Sequence, residues 1–146
     1  MPWILQGNPE RFDMRAYFHQ QRIYWLVNRY ASEFQRGDQV LLWESGANGG
    51  IVAYGVVIEL PVVRNQVLDP ADLGDAFWHG DKPKDEAVVV GVRVLASVAN
   101  GFFVSKTAMK QNPSLAGLDI LRMPQATVFR CSAEQLASVL PCVTPW

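Results

Sequence analysis

The sequence predicts an α+β fold, a mixed β-barrel of five or six strands with short helices inserted between them and a C-terminal helix. Three observations carry this. At 146 residues, 49% hydrophobic and 18% charged, the chain is long enough to bury a core and too apolar to stay disordered. Apolar runs of strand length recur along it, separated by segments with helical spacing or turn residues. It contains no repeat, low-complexity tract or linker-like stretch, so residues 1–146 read as one domain.

The elements follow in order. "PWILQG" has the composition of a short strand, and Asn8 followed by Pro9 has the form of a helix N-cap and first helical residue. A helix is expected through "ERFDMRAYFHQQ", with Phe12, Met14, Tyr17 and Phe18 turned inward. "IYWLV" is a second strand, and "NRYASEFQRGD" a helical turn that Gly37 closes. "QVLLWES" is a third strand; alternation puts Leu41, Trp43 and Ser45 on one face and Val40, Leu42 and Glu44 on the other. "GANGG" supplies a hairpin turn, and "IVAYGVVIEL" a strand covered on both sides, with Gly55 marking a bulge or a close backbone approach.

Residues 61–86 form a polar, acidic connection, long enough to hold a short helix and to cover one end of the barrel. "AVVVGVRVLA" is a strand. "FFVSKTAMKQNPSLAGLDILRMPQ" reads as a strand end, a helical segment and an irregular return, and "ATVFRC" as the last strand. "SAEQLASVL" is the closing helix, with Ser132 and Gln135 at capping-box spacing.

Composition narrows the function. No segment has the ~20 apolar residues of a membrane span, and "MPWILQGNPERFD" lacks the basic start and apolar run of a signal peptide, so a cytoplasmic protein is expected. Cys131 and Cys142 read as free thiols; with only His19 and His79 beside them they cannot build a structural zinc site, so no metal and no cofactor are expected. The net charge of −1 is uneven. Residues 1–36 hold five basic against three acidic residues, 37–86 three against nine, and 87–146 five against two. A broad DNA-gripping face is not indicated; a local basic rim remains compatible. No nucleophile elbow, P-loop or H-E-x-x-H is present, and "GANGG" leads into a strand where a dinucleotide-binding turn must open a helix. The expectation is a binding module, not an enzyme.

Aromatic content points to what is bound. Of five Trp, Trp43 is followed on its own face by Ser45 at the mouth of a glycine turn, an arrangement suited to a planar, hydrogen-bonding ligand. Trp25, followed by Asn28 and Arg29, is expected to supply the opposite wall if its strand lies alongside.

"WILQGNPERFD", "IYWLVNRYASEFQRGDQVLLWESGANGGIVAYGVV" and "PSLAGLDILRMPQATVFRCSAEQLASVL" together resemble the EVE domain, a family of the PUA-like superfamily of small barrels related to YTH domains. The similarity is to the branch found beside modification-dependent restriction nucleases. It implies a PUA-like barrel whose pocket accepts a modified nucleobase, such as methylated or hydroxymethylated cytosine or methyladenine, extruded from DNA or RNA. It further implies a restriction-type nuclease or other effector as partner. Carried onto this sequence, it implies ligand contacts from Gln6, Asn8, Trp25, Arg29, Trp43, Ser45, Gln125 and Thr127, with Trp25 and Trp43 stacking, Ser45 and Asn8 reading the base edge and Arg29 near a phosphate. The other readings are a small-molecule sensing barrel using the same pocket, a hydrolase acting on modified nucleic acid, and an interaction domain that buries Trp43 against a partner protein.

Overall fold

A computed structural model of the chain describes residues 1–122 and 126–139. Seven strands form one mixed sheet: β1 (Trp3–Gly7), β2 (Arg22–Leu26), β3 (Gln39–Glu44), β4 (Gly50–Val63), β5 (Val88–Ser97), β6 (Val104–Ser105) and β7 (Val128–Arg130). Their order is β2-β5-β4-β3-β1-β7, with β6 paired to the start of β4. β1 runs parallel to β3, and the other pairs are antiparallel. The helices are short: α1 (Met14–Tyr17), α2 (Lys106–Gln111), α3 (Asp119–Arg122) and α4 (Ala133–Val139).

Side-chain alternation divides the sheet into an inner and an outer face. Trp3 and Leu5 of β1, Ile23 and Trp25 of β2, Val40 and Leu42 of β3, Val52 and Val57 of β4, Val90 and Val92 of β5, and Val128 of β7 all join one core. Strands at both ends of the sheet contribute to it, so the sheet curls around its own inner side chains. Among the described residues it does not close by backbone pairing, and it holds seven strands where five or six are expected. The seam between β2 and β7 is bridged by side chains instead. Arg29 donates from Nε and Nη2 to the Val128 carbonyl at 2.8 and 2.5 Å, and Thr127 Oγ1 donates to Asn28 Oδ1 at 2.8 Å.

The outer face is covered by the C-terminal third. Ile4, Leu41, Trp43, Ile51 and Phe129 pack beneath Met109, Leu115, Leu118, Ile120, Leu136 and Val139. Cys131 is buried in the same layer; Cys142 lies outside the described residues. The capping box that opens α4 is present and reciprocal, with Ser132 N to Gln135 Oε1 and Gln135 N to Ser132 Oγ both 3.0 Å.

Two local features depart from or refine the sequence reading. The helix expected over residues 10–21 is confined to α1. Phe12 is held in a β-bridge to Trp78 and Asp13 N donates to the Phe77 carbonyl at 2.9 Å, so residues before Met14 are committed to another part of the chain. Asp13, not Asn8, caps the helix, accepting from Ala16 N at 3.3 Å, while Asn8 accepts from Glu10 N at 2.9 Å in a tight turn. The β4 register shifts between Tyr54 and Gly55, as a bulge there requires. A Cβ on Gly55 would lie 2.3 Å from the Arg93 carbonyl oxygen of β5.

Candidate functional site

A cavity of about 400 Å³ opens where β1 ends, between the curled sheet and the connection that follows β4. Gln6 and Gly7 of β1, Tyr24 and Trp25 of β2, and Thr127 just before β7 supply the sheet side. Asn8, Arg11 and Phe12 come from the loop after β1. The far side is the connection, through Arg64, Leu73 and residues 78–84 except 79 and 80.

The aromatic wall is assembled by three elements. Trp25 points inward from β2, with Phe12 edge-on at 5.9 Å and 87° and its Nε1 3.4 Å from the Gln6 carbonyl oxygen. Gly7 makes room for it, since a Cβ there would sit 2.6 Å from Trp25 Cζ2. Trp78 packs on Phe12 at 4.6 Å between centroids, and the backbone bridge between the same two residues holds it there. Trp78 is half-buried and lines the cavity.

Hydrogen bonds hold the sheet side and the connection in place. Gln6 N donates to the Thr127 carbonyl at 2.8 Å and Gln6 Nε2 to the Ala126 carbonyl at 2.7 Å, tying the end of β1 to the approach to β7. The Tyr17 hydroxyl accepts from Tyr24 N at 2.7 Å and donates to the Asp72 carbonyl at 2.6 Å, pinning the connection over β2. Burial, reinforced by the nearby Asp72 carboxylate, pushes the Tyr17 phenol well above its ordinary range. Burial first, then the hydrogen bond with Glu59, push that of Tyr24 up to about 12. Both phenols stay protonated at neutral pH.

Charge is concentrated on the connection. Arg64 is 4% exposed, forms an ion pair with Asp75 and donates Nη1 to the Pro83 carbonyl at 3.2 Å. Lys82 reaches the same Asp75 at 3.3 Å. Arg11, Asp81 and Lys84 are exposed around the opening. Among the described residues, no group of three or more His, Cys, Asp or Glu is placed to hold a metal ion.

Of the residues expected to bind, Gln6, Asn8, Trp25 and Thr127 are brought together on this cavity. Trp43 is not. It is 2% exposed and packs with Ile4, Leu41 and Ile51 under the C-terminal helices, so it cannot face Trp25 as a second wall. The grouping of Trp43 with Leu41 is right, but that face is the outer one. β2 and β3 are also not neighbours, as β5 and β4 lie between them. Ser45 does not line the cavity; its N–H donates to the carbonyl of Gly7, which does, at 3.0 Å. Arg29 spans the β2/β7 seam. Gln125 lies outside the described residues. Sequence reasoning missed Trp78, Phe12 and Arg64; the one signal available was an aromatic pair, Phe77–Trp78, in an otherwise polar, acidic connection.

Comparison with known proteins agrees with this architecture. The EVE domain family model matches residues 2–142. No curated protein matches the chain. Among solved structures, a hypothetical protein from Leishmania major aligns at 20% identity with TM-score 0.69, covering 96% of this chain and 92% of its own. A Pseudomonas putida protein aligns at 16% identity with TM-score 0.69, covering 97% and 99%. Human THYN1, solved in complex with DNA containing 5-methylcytosine, aligns at 12% identity with TM-score 0.65, covering 96% and 95%. These similarities establish a shared fold, and with a family match that runs almost from end to end, the chain belongs to the EVE domain family.

Proposed function

We propose that this chain is a non-catalytic nucleic-acid binding module that takes a modified nucleobase, extruded from its strand, into the cavity beside Trp25 and Trp78. The observation that carries the reading is the cavity itself. Its volume of about 400 Å³ lies within the range of small-ligand pockets, and its aromatic wall meets polar groups of Gln6, Asn8 and Thr127 along one side. Stacking on an aromatic side chain contributes ~1–3 kcal/mol per base, which offsets much of the few kcal/mol needed to unstack and extrude it. The THYN1 complex with 5-methylcytosine DNA supports the ligand class by analogy of fold. A chain of net charge −1 has little general affinity for nucleic acid, so a restriction-type nuclease or other effector would supply the rest.

Tryptophan fluorescence during titration with short DNA and RNA strands, each with and without methylated or hydroxymethylated bases, tests the reading. Modification-dependent quenching that weakens at least tenfold in Trp78→Ala, with the melt still cooperative, is the expected result. Binding of a small planar compound with no response to any strand would replace it with the small-molecule sensor.

A further inference from the structure

The mouth of the cavity carries a charge opposite to that of the chain. Arg11, Arg64, Lys82 and Lys84 stand there against Asp75 and Asp81, in a protein whose net charge is −1. Lys82 and Lys84 lie in a segment, residues 37–86, that otherwise holds nine acids and one further base, the Arg64 of the cavity wall. Exposed acids stand close by, Glu10 beside Arg11 and Asp85 and Glu86 beside Lys84, but of the charged residues that line the cavity itself only Asp81 is acidic, so the lining carries the positive excess. They are not equivalent. Arg64 and Lys82 share Asp75, and Arg64 also holds the Pro83 carbonyl, the residue between Lys82 and Lys84. Among the described residues, Arg11 and Lys84 have no carboxylate within ion-pair distance.

We infer that Arg11 and Lys84 form a phosphate-holding rim, taking backbone phosphates of a strand whose base occupies the cavity, while buried Arg64 positions the Lys84 side of that rim. This rests on the base-binding reading and goes further, because it makes the ligand a strand and not a free base or nucleoside. Arg11 follows β1 and Lys84 belongs to the connection, so the two cations approach the opening from different elements. A nucleoside in the cavity offers neither of them an anion.

The test is fluorescence anisotropy with a labelled strand carrying the modified base, measured across a salt series, with the free modified nucleoside as competitor. Arg11→Gln, Lys84→Gln and the double variant are compared with Lys110→Gln, an exposed cation of α2 that does not line the cavity. Each rim substitution is expected to flatten the slope of log K against log salt by ~0.7 for a single strand and ~0.9 for a duplex, additively in the double variant, while nucleoside competition is unchanged. Wild-type slopes in both single variants, the same flattening in Lys110→Gln, or a nucleoside that binds as tightly as the strand would overturn the rim. Flattened slopes with equal affinity for modified and unmodified strands would keep the rim and remove the base-reading function. Preserved modification dependence with unaltered slopes would do the reverse, and no binding by any strand removes both.

Discussion

The Trp25 indole lies against the backbone of Gly7, so close that a methyl group on Gly7 would stand 2.6 Å from Cζ2 and 2.5 Å from Met14 Cε. The end of β1 and the aromatic wall of the cavity are therefore one packed unit. Gly7→Ala is expected to push the ring into the cavity that it lines. Overpacking of this kind costs ~1–3 kcal/mol, and the displaced ring also occupies ligand volume. A fall in ligand affinity of tenfold or more with a modest drop in Tm is the expected pair of readouts.

Trp43 and Trp78 should behave oppositely. Trp43 is fully packed in the outer core, so Trp43→Ala should cost ~3–5 kcal/mol and threaten folding. The milder Trp43→Phe should lower the denaturation midpoint while leaving ligand affinity within about twofold, because its ring packs in the outer core and does not line the cavity. Trp78→Ala removes a half-buried ring packed on Phe12, so it should lower the midpoint by less than Trp43→Ala, keep the melt cooperative and weaken modification-dependent quenching at least tenfold. Equal effects of the two on binding would contradict the assignment of faces.

The β2/β7 seam has its own signature. Arg29 gives two donors to the Val128 carbonyl, and its guanidinium lies 4.8 Å from the Tyr30 ring centre and 5.6 Å from that of Phe129. Arg29→Ala should destabilise by about 1–2 kcal/mol through that carbonyl and the lost cation–π contacts. Faster amide exchange concentrated in β7, with an unaltered salt slope of strand binding, would separate this seam role from a phosphate contact.

Asp38 predicts an acid limb of stability. It is 8% exposed and accepts from Trp3 Nε1 at 2.9 Å and Gln35 N at 3.0 Å. Burial pushes its pKa up, but these hydrogen bonds to the charged form prevail and the net shift is downward. A lowered native pKa means the contribution is complete above the unfolded value of ~3.9 and is lost as pH falls through the native one. Asp38→Asn should cost about 2 kcal/mol at neutral pH and flatten the decline of stability in acid, which denaturant melts between pH 2 and 7 would show.

Much of the scaffold was legible because it is local. The alternation of Val40, Leu42 and Glu44 against Leu41, Trp43 and Ser45, the bulge at Gly55 and the Ser132–Gln135 box each follow from residues close in sequence. The cavity was only half legible. Trp25 follows from its aromatic strand and the Asn28 and Arg29 after it, and Gln6, Asn8 and Thr127 from the family resemblance, whereas Trp78 sits in a connection without periodicity and is brought to the site by long-range pairing with the segment around Phe12.

The sequence by itself determined which side chains share a face, where the strands break and that an aromatic-rich, mostly β fold would form. Only the tertiary structure decided which face is inside. Period-two alternation is symmetric between the two sides of a sheet, and it is the curl of the strands and the placement of the C-terminal helices that break the symmetry. That choice sent Trp43 beneath the helices and Trp25 to the cavity. The same long-range packing shortened α1, because residues that locally favour a helix gained more by joining the strand-like bridge to Trp78.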